Sequence, residues 1–148
     1  MRLSRRSKYA LLVLFDLAGR TGSTPVPLNE LAERNNVPLK FLEQIFSTLR
    51  NAGIVHSQVG AHGGYTLGRP AQDITLGMVI RLLDGTVAPV SCVSQIAYEP
   101  CTCPDERTCP LRTVMGRVRQ AIVDVVDNTT LADAAGLRQV AESREDAT

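Results

Sequence analysis

Residues 28–55, LNELAERNNVPLKFLEQIFSTLRNAGIV, decide the fold of this 148-residue chain. They predict a short helix over residues 28–34, a tight polar turn over residues 35–37, and a second helix that reaches about Ala52. Pro38 suits the first position of the second helix, because its missing N–H has no intrahelical partner there. One face of that helix is apolar and is formed by Leu42, Ile45, Phe46 and Leu49. Two helices joined by a short turn, the second amphipathic, are typical of a helix-turn-helix.

The segment that follows distinguishes this pattern from an ordinary helical hairpin, which has the same helix spacing. Residues 54–59 and 65–67 predict two short strands around the turn Gly-Ala-His-Gly-Gly at residues 60–64. A β-hairpin directly after a candidate recognition helix is a wing. Gly63 and Gly64 carry no Cβ, so this turn is expected to approach a phosphate backbone closely. The sequence therefore predicts a winged helix-turn-helix.

Periodic segments on both sides of this unit predict further helices. Residues 4–20 form a helix with Ser4 as N-cap, residues 76–83 form one capped by Thr75, and Thr130 caps a short last helix. The expected fold class is mainly α with a small β-hairpin wing. Its expected parts are a winged helix-turn-helix DNA-binding domain (residues 1–83), a cysteine-bearing sensor loop (84–109), a dimerisation helix with a short terminal helix (110–135) and a disordered tail (136–148).

The long helix predicted over residues 110–128 carries an apolar stripe that needs a partner. The stripe consists of Leu111, Val114, Val118, Ile122 and Val125. Because residues 1–83 already provide a complete small core, we expect the stripe to pack against the same helix of a second subunit. Such a homodimer reads a pseudo-palindromic double-stranded operator. The alternative, in which the stripe packs back on its own chain, has the same periodicity.

Charge is divided unevenly along the chain. Residues 1–81 hold ten Lys/Arg against five Asp/Glu, whereas residues 82–148 hold six against ten. A basic half suits a polyanion-binding module, although sorting of solvated surface charge gives the same imbalance. No apolar run approaches the roughly 20 residues that span a bilayer, and no small-residue cleavage site follows the basic N-terminus. We therefore expect a cytoplasmic protein without membrane association.

The N-terminal part of a recognition helix enters the major groove, and Lys40, Glu43 and Gln44 lie in that part here. Gln can bond an adenine edge, and Glu can accept from a cytosine amino group. Basic residues near the chain start more plausibly meet phosphates. For each charged side chain taken singly, a solvated surface is the alternative. The expected DNA-binding residues are Arg2, Ser4, Lys8, Lys40, Glu43, Gln44, Ser47, His62, Gly63, Gly64 and Tyr65.

All four cysteines lie between residues 92 and 109, in a stretch of about 25 residues without periodicity. Cytosolic thiols are normally reduced, so this concentration indicates metal or redox chemistry more than structural disulfides. A long irregular segment in a small protein is usually functional or disordered. The sequence thus predicts a sensor in this loop.

With these elements placed, the chain resembles the IscR, NsrR and CymR group of transcription regulators, the Rrf2 superfamily. The resemblance runs from Met1 to Cys92 and more loosely to about Ala135. Its carriers are Met1-Arg2-Leu3-Ser4, Pro25-Val26-Pro27-Leu28, Phe41-Leu42-Glu43-Gln44-Ile45-Phe46, Gly63-Gly64-Tyr65 and Ile74-Thr75-Leu76.

The resemblance implies a winged-helix dimer held by the long C-terminal helix. In several members it also implies an iron–sulfur cluster bound by three cysteines and a fourth ligand. Cys92 matches the first of these cysteines, and Cys103 and Cys109, with five residues between them, match the last two. Arg112 stands where IscR has a histidine ligand, and guanidinium is not a ligand. A further departure is in the wing, where Val59 replaces a common arginine and leaves Gln58 and His62 to take over part of its contact.

An additional thiol, Cys101, can fill the position that arginine cannot. Four thiolates are sufficient for a [2Fe-2S] cluster, so the expected metal ligands are Cys92, Cys101, Cys103 and Cys109. Aerobic handling often leaves such sites empty. A metal-free thiol switch, as in a CymR-like regulator of sulfur or cysteine metabolism, is the first alternative. Zinc and inert thiols are the others.

An enzyme is not expected from this sequence. Its two histidines, His56 and His62, lie in the wing, far along the chain from the cysteines, and there is no P-loop or metalloprotease helix. A winged-helix protein-interaction adaptor is the rival from another class. Salt-dependent duplex binding distinguishes the two, because phosphate contacts release counterions.

Overall fold

The structure is a computed structural model that describes residues 2–147, so Met1 and Thr148 lie outside it. Residues 2–147 form six α-helices, three short 3-10 turns and one two-stranded antiparallel hairpin, which confirms a mainly α fold with a small wing. The helices are α1 (Arg5–Gly19), α2 (Leu28–Arg34), α3 (Leu39–Asn51), α4 (Leu76–Asp84), α5 (Pro110–Asn128) and α6 (Leu131–Asp146). The strands are β1 (Val55–Gln58) and β2 (Gly64–Leu67).

The three predicted N-caps are present. Ser4 accepts from the backbone N–H of Ser7, Thr75 from that of Met78, and Thr130 from that of Asp133. Each cap satisfies one of the backbone donors that a helix leaves unpaired at its start. The starts of α1, α4 and α6 were therefore predictable from single residues.

Two boundaries differ from the sequence-based expectation. Pro38 has extended backbone angles and lies before the first helical residue, Leu39, so α3 begins one position later than expected. The larger difference is at the C-terminus, where α6 continues to Asp146 and so extends the expected short terminal helix through most of the tail expected to be disordered over 136–148; Thr148 lies outside the described residues. A capping box at Thr130 and Asp133 starts α6, and Leu131 and Ala135 are buried, which anchors its first turns.

The core lies between α1, α2, α3 and the base of the wing. Leu14, Leu31, Leu42 and Phe46 are completely buried in it. The predicted apolar face of α3 points into this core, while its polar face is exposed. Burial of one face therefore fixes which side of α3 is available to a binding partner.

Asp16 is a buried carboxylate that joins α1 to the turn of the helix-turn-helix. It accepts from the Asn35 amide at 2.9 Å, from Arg34 at 3.2 Å and from Arg20 at 3.3 Å. Burial raises the pKa of Asp16, but the Asn35 hydrogen bond and the two guanidinium charges outweigh it and keep the pKa below its ordinary value. The carboxylate thus stabilises the fold in its ionised form.

Asp16→Ala is expected to lower the free energy of unfolding near pH 7 by about 2 kcal/mol, because two arginines and an amide lose their common acceptor. The folded pKa lies below the unfolded value of about 3.9, so the contribution is complete above that value and disappears as the pH falls through the folded pKa. Urea unfolding of both proteins across this range should show a difference that shrinks in acid. Glu142→Gln removes only an exposed pair with Arg138 and is the control. A difference independent of pH would contradict this role.

Candidate DNA interface and cysteine site

The exposed face of α3 presents the residues that the sequence assigned to base reading. Lys40, Glu43 and Gln44 are exposed on its first two turns, and Ser47 is half-buried. Within residues 2–147, none of the first three side chains hydrogen-bonds to another side chain, and the backbone carbonyl of Gln44 accepts from the Thr48 hydroxyl. These side chains are thus free to meet a base edge.

The wing places its predicted residues in two different environments. His62 is exposed at the turn, whereas Tyr65 packs its ring edge-on against Phe46, with ring centroids 4.9 Å apart. The Tyr65 backbone also exchanges hydrogen bonds with Val26, at 2.8 and 3.0 Å. Tyr65 therefore fastens the wing to the body of the domain, and His62 is the side chain that can extend to DNA.

The structure gives a reason, which the sequence did not reveal, why residues 63 and 64 are both glycine. A Cβ on Gly63 would overlap the Gln58 carbonyl across the hairpin, and one on Gly64 would overlap the Val26 backbone. The backbone that these glycines approach closely in the structure is the chain's own, and an approach of the turn to a phosphate backbone stays a prediction.

The basic N-terminal segment borders α1. Arg2 and Lys8 are exposed, as expected for phosphate contacts. The Ser4 hydroxyl already has two partners within the chain. It donates to Asp84 at the end of α4, and it accepts from the Ser7 N–H as the N-cap of α1. Arg6, which no base-reading argument singled out, donates to Thr48 of α3 at 3.4 Å and so links the two helices.

The structure brings the four cysteines of the irregular segment into one neighbourhood. Cys92 is buried in a short 3-10 turn (Ser91–Val93), and the other three are half-buried. Cys101 lies close enough to Cys92 and Cys103 for them to affect its pKa, and Cys103 lies close enough to Cys109 for the same effect. The Cys103 backbone N–H donates to Cys101 Sγ at 3.3 Å. All four are free thiols.

These contacts make the thiols chemically unequal. Burial raises the pKa of Cys92, and the hydrogen bond with Cys101 raises the pKa of Cys103 to about 12. The same bond lowers the pKa of Cys101, which is therefore the member of this pair that loses its proton more readily.

Glu106 organises the segment and was missed as a functional residue. Its carboxylate accepts from the Tyr98 hydroxyl at 2.6 Å and from the Cys101 backbone N–H at 2.5 Å. Arg112, at the start of α5, donates to the Cys92 carbonyl at 3.3 Å. No helical or strand periodicity links these positions, so sequence pattern gave no signal for them.

The donor set suits a thiolate-ligated group in composition. Thiolates are the ligands of [2Fe-2S] clusters, and four cysteines lie in the segment between the end of α4 and the start of α5. Among residues 2–147, no three His, Cys, Asp or Glu side chains are grouped closely enough to hold one metal ion. The donor set therefore fits such a group by its chemistry, whereas the thiols of residues 2–147 are not gathered around a single ion.

A helix-turn-helix with its polar face exposed, a wing anchored beside it and an attached cysteine segment define a winged-helix transcription regulator. A family model described as "Rrf2: Iron-dependent Transcriptional regulator" matches residues 3–136, and the chain belongs to this family. It is therefore a transcriptional regulator and not an enzyme. In the part of the chain described, no helix is both long and apolar enough to cross a membrane.

Two of the similar proteins, CymR and IscR, carry different names. The HTH-type transcriptional regulator CymR of Bacillus subtilis is 38% identical over 135 residues, which cover 91% of this chain and 90% of that protein. IscR of Pectobacterium carotovorum is 36% identical over 149 residues, covering 99% and 88%. The solved structure of CymR, "the Global Cysteine Regulator of B. subtilis", superposes with a TM-score of 0.79 at 36% identity and covers 93% of this chain and 98% of that one.

Proposed function

We propose that this regulator binds a pseudo-palindromic duplex as a homodimer and that the state of its four cysteines sets its affinity for DNA. The observation that carries the proposal is the segment of four neighbouring cysteines between α4 and α5, in which the Cys103 N–H donates to Cys101 Sγ and Arg112 of α5 donates to the Cys92 carbonyl. Cysteine thiols can be oxidised or can bind a metal, so the chemical state of this segment can change in the cell.

For the DNA contact, the support is the exposed polar face of α3 together with the exposed wing turn. Lys40, Glu43 and Gln44 are the proposed base-reading residues, with Ser47 beside them. His62 at the wing and Arg2 and Lys8 near the chain start are the proposed phosphate or groove contacts. The other predicted residues act indirectly, because they hold the helix and the wing in place. They are Ser4, Gly63, Gly64 and Tyr65.

The homodimer is supported by the apolar stripe of α5. Ile122 packs against the chain's own core, but Leu111, Val114, Val118 and Val125 remain 59%, 49%, 38% and 64% exposed. Four large apolar side chains along one helix face are a self-complementary surface for a second copy of the same helix.

For the sensor, we propose a [2Fe-2S] cluster bound by Cys92, Cys101, Cys103 and Cys109. When bound, the cluster supplies reversible one-electron chemistry and sensitivity to oxidants. Arg112 and Glu106 hold the segment that carries the four thiolates, through the Cys92 carbonyl and the Cys101 N–H. A change in the conformation of that segment is therefore passed to the start of α5 through Arg112.

A metal-free thiol switch is the second candidate for the same site. It is favoured by the contact between Cys101 and Cys103, because this contact places the Cys101 thiol, whose pKa is lowered, beside a second thiol. The similar protein CymR is the global cysteine regulator of B. subtilis, which fits a regulator of sulfur or cysteine metabolism here. A protein-interaction adaptor is the third candidate, and it predicts no salt-dependent duplex binding.

Anaerobically purified protein is expected to show visible absorption bands and about two iron and two sulfide per subunit. Cys92→Ala, Cys101→Ala, Cys103→Ala and Cys109→Ala should each remove most of the iron, because each takes away one of four ligands. Ser57→Ala, an exposed wing residue, is the control and should retain it. Colourless, iron-free protein after reconstitution would reject the cluster and leave the thiol switch, which a mass shift of two hydrogens on oxidation would then detect.

A further inference from the structure

α5 is attached to the rest of its chain in an unusual way. None of its residues is buried, and much of its apolar stripe faces away from its own core. At its start Arg112 contacts the cysteine segment, and at its end it meets α4 of the DNA-binding domain. The junction between the C-terminal half of α5 and the DNA-binding domain, where Ile122 also packs on the core, therefore carries the position of α5 to that domain.

That junction is built around an ion pair. Arg81 of α4 donates to both oxygens of Asp127 of α5, at 2.5 and 3.0 Å. Each side chain is 37% exposed, so the pair is only partly screened by solvent. A two-point guanidinium–carboxylate contact fixes direction as well as distance, because both groups are planar and aligned.

A glycine makes room for the pair. Gly77, one turn before Arg81 on α4, is buried, and a Cβ there would overlap Asp127 Oδ1 and crowd the Arg81 guanidinium. Glycine inside a helix costs about 1 kcal/mol relative to alanine. The space that it leaves is occupied by the carboxylate.

Two backbone hydrogen bonds close the junction beside the ion pair. The Leu76 N–H donates to the Thr129 carbonyl and the Leu131 N–H to the Ile74 carbonyl, both at 2.9 Å. They tie the end of α5 to the start of α4 across an isolated antiparallel bridge between Thr75 and Thr130. The end of α5 is thus fastened by main-chain and side-chain contacts together.

We propose that Arg81 and Asp127, seated over Gly77, are positioning residues that set the angle between α5 and the DNA-binding domain. In the dimer proposed above, this angle determines the separation of the two recognition helices. It therefore determines which spacing of operator half-sites is accepted. This inference rests on the proposed dimer and holds for either proposed chemistry of the cysteines.

The test compares operators that differ only in spacing. Half-sites selected by the wild-type protein from random duplexes are joined at the selected spacing and with one added base pair, and affinities are measured by fluorescence anisotropy. Wild type is expected to lose about tenfold on the insertion, whereas Asp127→Asn and Gly77→Ala should each lose less than about threefold. Glu142→Gln, which breaks an exposed pair on α6, should behave as wild type.

A second set of measurements separates positioning from folding. Binding to a duplex with one half-site should be unchanged in both variants, and the Leu76 and Leu131 amides should exchange hydrogen faster. Variants that keep the tenfold penalty would overturn the inference while leaving the proposed function standing. A wild-type protein indifferent to spacing would instead overturn the dimeric reader, and the inference with it.

Discussion

Val118→Asp is expected to lower the affinity for a two-half-site operator by at least about 100-fold, equivalent to roughly 2.7 kcal/mol. Val118 lies in the middle of the exposed stripe of α5. In a two-fold dimer each substitution occurs twice, so two carboxylates face each other where apolar side chains should pack. Sedimentation should show monomers, and anisotropy should show binding no tighter than to a single half-site.

Gln120→Asp is the matched control for this substitution. It introduces the same charge on an exposed position of α5, about 200° around the helix from Val118. The control protein should remain dimeric and keep the wild-type affinity within about threefold. A dimeric Val118→Asp protein with full operator affinity would show that the stripe is not the interface.

Phe46→Ala is expected to destabilise the fold by about 3–5 kcal/mol. Phe46 is completely buried on α3, and its ring meets the edge of Tyr65 on β2. Removing it leaves a cavity at the point where the recognition helix and the wing are joined, so the geometry of both is lost together. Urea unfolding at neutral pH measures the loss as a lower midpoint.

The control for this cavity is Val59→Ala. Val59 is 96% exposed at the end of the wing, so its truncation should change stability by less than about 0.5 kcal/mol. A Phe46→Ala protein of wild-type stability would mean that the core closes over the missing ring and that the wing is anchored by other contacts.

The helix-turn-helix was predictable because its signals are local. The apolar spacing of Leu42, Ile45, Phe46 and Leu49 within one helix identified the buried face, and Ser4, Thr75 and Thr130 marked three helix starts. Such signals need only the residues within one or two turns, which the sequence displays directly.

Other features depend on contacts between distant parts of the chain. The need for glycine at position 64 arises from the Val26 backbone, and the need for one at position 77 arises from Asp127. The length of α6 was missed because its second half has no apolar periodicity, and Leu137 and Val140 are exposed on it. Local pattern gave no measure of how far the helix continues.

The candidate sensor was predicted by composition and not by arrangement. Four cysteines within 18 residues indicated thiol chemistry. Which of these thiols become neighbours depends on how the irregular segment folds. Glu106 and Arg112 hold that segment through hydrogen bonds to main-chain atoms, which residue identity alone does not reveal.

The proposed dependence of operator affinity on the state of the four cysteines is tested most directly by an anisotropy titration of the selected operator at one salt concentration. The titration uses wild-type protein in two cysteine states and a variant in which all four cysteines are serine. We expect affinities that differ by about tenfold between the two wild-type states and one unchanging affinity for the variant. Equal affinities in both wild-type states would contradict this dependence.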